Sequence, residues 1–203
     1  VQDRRDLRHD GRIHRHAVVV PAGYDTAQFW AITLTNTPAG EIFFVDDLNV
    51  RDNTANTATA GAITAQAYAS ATGIMSFVSG DGTLYIGHGD IDVSSDYFYG
   101  VGVLASTSGI GDVTVVGTGD VTVDAAQGAT GIWAYATVGG SVSVDSGVSI
   151  YASTKYGDAT GIIAQSYGAD VSVSATGAAI DATSTYGNAT GIEAYAYNDA
   201  YVY

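Results

Sequence analysis

The chain has no cysteine, two prolines and one methionine in 203 residues. Without cysteine neither a disulfide framework nor a thiolate metal cluster can form, so its order must come from packing and backbone hydrogen bonding. Basic residues are also scarce: seven Lys and Arg stand against 21 Asp and Glu, a net charge of −14. Five of the seven (Arg4, Arg5, Arg8, Arg12, Arg15) fall in the first sixteen positions, with His9, His14 and His16. From Ala17 onward 18 acidic residues face only Arg51 and Lys155, a local balance of −16. Phosphate contacts need Lys and Arg, so nucleic acid is not expected as a partner. No apolar run approaches the ~20 residues of a membrane-spanning helix. Residues 1–16 are charged and 17–22 are too few for an apolar h-region, so the segment does not read as a secretion signal. It is expected to be a basic, disordered leader, and His14 and His16 lack a nearby third ligand for a metal.

Helix-favouring Leu, Glu, Lys, Arg, Gln and Met are sparse, whereas the chain holds 26 Gly and 14 Tyr together with abundant Val, Thr, Ser and Asp. That is strand and turn chemistry. Only the Ala-rich stretch 54–72 could admit a helix. A repeat organises the rest. Ala71-Thr72-Gly73-Ile74, Ala129-Thr130-Gly131-Ile132, Ala159-Thr160-Gly161-Ile162 and Ala189-Thr190-Gly191-Ile192 recur, with Val101-Gly102-Val103 in the one vacant slot. The glycines at 73, 102, 131, 161 and 191 are spaced by 29, 29, 30 and 30 residues. Such a period marks one structural unit copied end to end.

Each unit carries three bursts in which apolar residues alternate, the period of a strand with one buried face. The first follows the glycine (Val103/Ala105, Ile132/Ala134, Ile162/Ala164, Ile192/Ala194). The second comes ten or eleven residues later (Leu84/Ile86, Val113/Val115, Val142/Val144, Val171/Val173, Tyr201/Tyr203). The third precedes the next glycine (Ile63/Ala65, Ile91/Val93, Val121/Val123, Ile150/Ala152, Ile180/Ala182). Clusters such as Gly80-Asp81-Gly82, Gly109-Ile110-Gly111-Asp112, Gly117-Thr118-Gly119-Asp120 and Gly139-Gly140 separate them, and are expected as turns using positive φ or side-chain-to-backbone bonds. The pattern predicts an all-β fold: a right-handed parallel β-helix with three short strands per coil of about 30 residues. Residues 61–203 form its repeats and end within a coil, and 17–60 form a degenerate first coil or an N-terminal cap. Within 17–60, Ile32/Leu34, Ile42/Phe44 and Leu48/Val50 alternate more loosely.

Five residues before the repeat glycine stand Tyr68, Tyr97, Tyr156 and Tyr186, with Ala126 as the one break. They cap a corner of the coil, or form an aromatic ladder facing a sugar or another hydrophobic surface.

The units at 157–166, 168–174 and 179–192 resemble the passenger repeats of bacterial autotransporters, surface proteins of type V secretion that are often adhesins. The resemblance covers about residues 60–203. It implies an extracellular location at the outer membrane and a host-surface, matrix or neighbouring-cell ligand, protein or polysaccharide. A membrane would be reached only through a barrel domain that these residues do not include. No cofactor is implied.

Enzymatic alternatives rest on one constellation. Gly87-His88-Gly89-Asp90, with Asp46-Asp47 upstream, is reminiscent of polygalacturonase motifs, in which paired carboxylates act as acid and base. The alternative reading is therefore a β-helix polysaccharide hydrolase or lyase. Against it, no arginine follows Arg51, and His88 aligns with Gly117 in an expected turn between the second and third strands. Asp81, Asp90, Asp92, Asp112 and Asp120 lie in glycine-rich turns but match neither a calcium-binding nonapeptide nor an EF-hand loop. Thr33, Thr35, Thr57, Thr59 and Thr114 do not recur at one place per coil, as an ice-binding face would require. The sequence thus points to a binding solenoid without catalytic residues.

Overall fold

The computed structural model describes residues 27–30, 43–45, 49–51, 55–78 and 81–203, with side chains from Gly61 onward. In chain order the strands are β1 (Ala27–Trp30), β2 (Phe43–Val45), β3 (Asn49–Arg51), β4 (Ala55–Ala60), β5 (Ile63–Ala67), β6 (Ala71–Val78) and β7 (Thr83–His88). They continue with β8 (Ile91–Ser95), β9 (Tyr99–Thr107), β10 (Val113–Gly117), β11 (Val121–Ala125), β12 (Gly128–Ala136) and β13 (Val142–Ser146). The last are β14 (Ile150–Thr154), β15 (Ala159–Ser166), β16 (Val171–Ser174), β17 (Ile180–Ser184), β18 (Ala189–Ala196) and β19 (Ala200–Val202). No helix occurs among the described residues. The Ala-rich stretch that could have admitted one is occupied by β4, β5 and the start of β6.

Every third strand pairs with its equivalent one coil away, giving three sheets that wrap a single core. The first face runs β1-β6-β9-β12-β15-β18, the second β3-β4-β7-β10-β13-β16-β19, and the third β2-β5-β8-β11-β14-β17. From β4 onward all pairings within these faces are parallel. The chain is therefore a parallel β-solenoid with three strands per turn. Register follows the repeat: Val103, Ile132, Ile162 and Ile192 stand opposite one another on the first face. Leu84, Val113, Val142 and Val171 do so on the second, and Ile63, Ile91, Val121, Ile150 and Ile180 on the third. These columns form one continuous apolar core, buried throughout except that Ile180 and Ile192 in the last coil are partly buried against it. Each fully buried Val or Ile contributes roughly 1.5–3 kcal/mol of transfer free energy.

At the other end the pairing sense changes. β1, β2 and β3 lie antiparallel on β6, β5 and β4, the first parallel strand of each face. Each sheet thus begins with a strand that occupies the backbone groups its first rung would otherwise leave open. Parallel pairing already starts at Ala55, ahead of residue 61. The leader at 1–16, together with Ile32, Leu34, Ile42 and Leu48, lies outside the described residues.

Two sequence expectations are corrected. Tyr201 and Tyr203 do not continue the inward column of Val171 and Val173. Ala200 and Val202 stand opposite those valines, and Tyr201 stands opposite outward-facing Ser172. The corner before β19 is one residue shorter than the corner before β16, and a one-residue slip moves a whole strand's side chains to the other face. The aligned mark is the preceding aspartate: Asp170 lies before Val171 and Asp199 before Ala200.

The glycines are the second correction. Among the described residues only Gly177 has positive φ, at 78°. The repeat glycines lie inside first-face strands, where the in–out alternation changes phase. In β12 Ala129 and Gly131 are buried, and then Ile132, Ala134 and Ala136 are. Pairing skips Gly131 and resumes at Ile132, as in a bulge that bends the strand round the core. A Cβ on Gly73 would stand 2.7 Å from both Gly102 O and Ile91 Cγ2, and one on Gly102 2.5 Å from Gly131 O and Val121 Cγ1. The third-face Ile and Val columns use the space that the missing Cβ leaves. At the corners, added Cβ atoms on Gly111, Gly140 and Gly157 would overlap Gly82 O, Gly111 O and Gln127 O. Close stacking of coils, not left-handed backbone, selects glycine here.

Gly131→Ala is therefore expected to lower stability by at least about 1–3 kcal/mol, because Ile150 Cγ2 and Gly161 O must yield. Gly147→Ala, with nothing within 4 Å of its added Cβ, should stay within about 0.5 kcal/mol. Urea denaturation midpoints of the two variants check the contrast; equal shifts would refute it.

Candidate functional site

The tyrosine column is where the repeat placed it, at the corner between the third face and the first. Tyr68, Tyr97, Tyr156 and Tyr186 are all at least half exposed. Tyr68 and Tyr97 stack with centroids 5.6 Å apart and planes at 22°, and Tyr156 and Tyr186 at 5.7 Å and 8°. Phe98 meets Tyr97 edge-on at 5.2 Å. The column is thus two stacked pairs separated by the coil of Ala126. Lys155 sets its ammonium 4.9 Å from the centroid of the Tyr156 ring.

This column borders an outward surface that the sequence reading missed. On the first face Met75, Leu104, Trp133 and Ile163 stand in register, followed by Glu193. Two positions on, Phe77, Ser106, Tyr135, Gln165 and Tyr195 form the neighbouring file. Phe77, Trp133 and Tyr195 are exposed, and the Trp133 and Tyr135 rings lie 5.9 Å apart. The far corner adds exposed Tyr167 and Tyr197. The other faces differ: the second turns Tyr85, Thr114, Ser143 and Ser172 outward, and the third Thr64, Asp92, Thr122, Tyr151 and Asp181. A signal was present in the sequence. The residue two after each repeat glycine is apolar in four of five units, although its strand needs no inward side chain there. A strip of apolar and aromatic side chains, charged only at Glu193, in so acidic a body is a surface suited to stacking on a ligand.

His88 serves the core. It is the last residue of β7 rather than part of a turn, it pairs in register with Ala60 and Gly117, and it is 1% exposed. Its Nδ1 lies 2.9 Å from Gly89 O, so Nδ1–H donates there, and Nε2 has no partner. The imidazole fits because Gly117 has no side chain: an added Cβ would come 3.0 Å from His88 Cε1. Burial pushes its pKa below the ordinary imidazole value, against smaller raising effects of the Gly89 bond and the Asp90 charge. A neutral, enclosed imidazole cannot exchange protons with a substrate at the surface. Asp46 and Asp47 lie outside the described residues.

The turn aspartates are engaged with the backbone. Asp90 Oδ1 accepts the Asp120 N–H at 3.0 Å, and Asp120 Oδ1 accepts the Ser149 N–H at 2.9 Å. Asp112 Oδ1 accepts both the N–H and the hydroxyl of Ser141, at 2.7 and 2.8 Å. Asp158 Oδ1 accepts the N–H and the side-chain amide of Asn188, at 2.8 and 3.2 Å, and Asp170 Oδ1 the N–H of Asp199 at 3.4 Å. Each carboxylate reaches forward one coil and caps the next turn. At Asp90, Asp112 and Asp120 the carboxylates form a ladder of charge-assisted bonds rather than a cation site. Asp81 and Asp92 are exposed. No three metal-ligating side chains converge among the described residues. Threonine does recur, but as the single file Thr72, Thr130, Thr160 and Thr190, interrupted by Val101, in which Thr160 is buried and the others are half-buried.

Two outcomes follow. The lowered His88 pKa gives stability that is complete above the ordinary imidazole value and lost as the pH falls through about 6.5 toward the folded value. His88→Leu should abolish that slope in melts taken between pH 7.5 and 5.5, and an unchanged slope would show that another group carries it. Asp112→Ala should cost about 1 kcal/mol through the orphaned Ser141 N–H, and Asp112→Asn less, since its carbonyl can still accept. Thermal melts of the pair check this.

No family model matches this chain, and no match was found among curated proteins or solved structures.

Proposed function

We propose that the chain is a surface-displayed binding solenoid of a secreted, autotransporter-type protein, contributing to adhesion or cell–cell contact. The observation that carries this reading is the in-register aromatic surface made by the Trp133 strip and the stacked tyrosine pairs beside it. Its ligand is a host-surface, matrix or neighbouring-cell polymer, polysaccharide or protein, laid along the coils. Sugar rings and apolar side chains both stack on flat aromatic groups, and successive coils offer such groups at a regular step. The acidic body disfavours nucleic acid. Absence of cysteine suits a chain that passes unfolded through an oxidising compartment, and stacking that propagates coil by coil suits folding on emergence. The burial of His88 speaks against the hydrolase alternative.

The test is attachment of the purified protein to cells and to immobilised matrix polymers, compared with Trp133→Ala and with the double variant Tyr156→Ala/Tyr186→Ala. Each should weaken attachment about tenfold, as loss of an aromatic anchor does. Attachment unchanged in both, with the strand signature of circular dichroism intact, would dispose of the reading.

A further inference from the structure

The second outward file of the first face has a period of its own. In coil order it reads Phe77, Ser106, Tyr135, Gln165 and Tyr195, so a ring stands on every second coil and a polar residue on each coil between. Two coils at the inter-strand spacing measure about 9.6 Å, and the three rings together span about 19 Å. Phe77 and Tyr195 are 44% and 53% exposed, and Tyr135 is half-buried. Ser106 is buried although it faces outward, so its neighbours overtop it and the rings form the raised points of the file. Two of them are braced from the side, Tyr135 by Trp133 and Tyr195 by Tyr167, each with centroids 5.9 Å apart. Bracing lowers the ordering cost of binding.

The two-coil step discriminates among extended ligands. A peptide strand repeats its side chains on one face about every 6.6 Å, and a helix returns an apolar group about every 5.4 Å, so either would set apolar groups over Ser106 and Gln165. In a β-1,4-linked pyranose chain each sugar is turned by half a revolution on the last, and the same edge recurs at every second ring, close to two strand spacings. Its flat C–H faces stack on aromatic rings. Charge narrows the class further. Neither outward file holds a lysine or an arginine, and the balance after residue 16 is −16, so an acidic glycan is repelled and an uncharged one is not.

We propose that Phe77, Tyr135 and Tyr195 bind an uncharged β-1,4-linked glycan lying parallel to the solenoid axis, with every second sugar stacked on a ring. Five sugars span the three rings, the first, third and fifth resting on Phe77, Tyr135 and Tyr195. Trp133 widens the platform at its middle. The inference rests on the first face being the ligand surface, and it adds the linkage, the charge and the direction of the chain that lies there.

Calorimetric titration with cellopentaose, chitopentaose, cellobiose and maltopentaose tests it. The tighter of the two β-1,4-linked pentamers, which reaches all three rings, is expected to bind at least about tenfold better than cellobiose, which reaches one. Maltopentaose, whose α-linked chain curves away from the row, should be as weak as cellobiose. Tyr135→Ala should weaken the pentamer about tenfold, and Tyr151→Ala, on the third face, should leave it unchanged. Exchanging Ser106→Tyr with Tyr135→Ser keeps three rings but sets them one and three coils apart, and should reduce the pentamer to the cellobiose level. Circular dichroism of each variant excludes misfolding as the cause. Pentamers that do not bind, that bind no better than maltopentaose, or that bind the exchanged variant as they bind the parent overturn the inference. Attachment to cells or matrix that still falls in Trp133→Ala would then leave the wider aromatic surface standing, so the two readings fail separately.

Discussion

In-register parallel stacking is the constraint from which the rest of this structure follows. Once each coil lies one inter-strand spacing, about 4.8 Å, above the last, every residue has its own equivalents as nearest neighbours. Side chains that pack on copies of themselves prosper inside, which is why Ile and Val columns fill the core. Where corners bring backbone against backbone the same spacing leaves no room for a Cβ, and glycine results at 111, 140 and 157. Charges meet the rule from its unfavourable side, because equal carboxylates one step apart repel. Asp90 and Asp120 resolve this by taking the N–H of the following turn, so that each acid is held by a hydrogen bond rather than left facing its copy.

How much of this the sequence carried depends on which neighbours decide each position. The buried columns were legible because a strand's alternation and the repeat length are both local, and together they name the residues that meet: Ile132, Ile162 and Ile192 are the example. The tyrosine corner was legible for the same reason. The reason for glycine was not, since the partner that excludes a Cβ from Gly73 belongs to another strand, Ile91, and to the next coil, Gly102. The register of β19 escaped because apolar alternation alone fits two phases, and only the bond from the Asp199 N–H to Asp170 across the coils marks the right one. The hydrophobic strip around Trp133 escaped because attention to inward residues treats their alternates as filler.

His88 illustrates how a repeat context changes the meaning of a reactive side chain. In isolation a histidine between glycines and next to an aspartate invites acid–base chemistry. Within the stack its position is an inward one, shared with Ala60 and Gly117, and only the glycine next door gives the ring its volume. Desolvation then holds it neutral. The same logic applies to the turn acids, whose number suggests a metal and whose geometry commits them to amides. In a solenoid, a polar residue's equivalents on adjacent coils are a better guide to its role than its neighbours in sequence.

A solenoid separates the requirements of folding from those of recognition more cleanly than a globular domain does. Inward positions are fixed by the stack, whereas outward ones answer only to solvent and ligand, and the three faces here have diverged accordingly: hydroxyls on the second, hydroxyls mixed with the carboxylates of Asp92 and Asp181 on the third, apolar groups and rings on the first. Placing the rings together concentrates weak stacking contacts along one line, so that an extended ligand engages several at the cost of a single loss of translational freedom. The acidic charge spread over the rest of the rod has a complementary effect. Two copies approaching by their aromatic faces also bring their carboxylates together, which keeps the strip available to a neutral or nearly neutral ligand instead of to another copy of the chain.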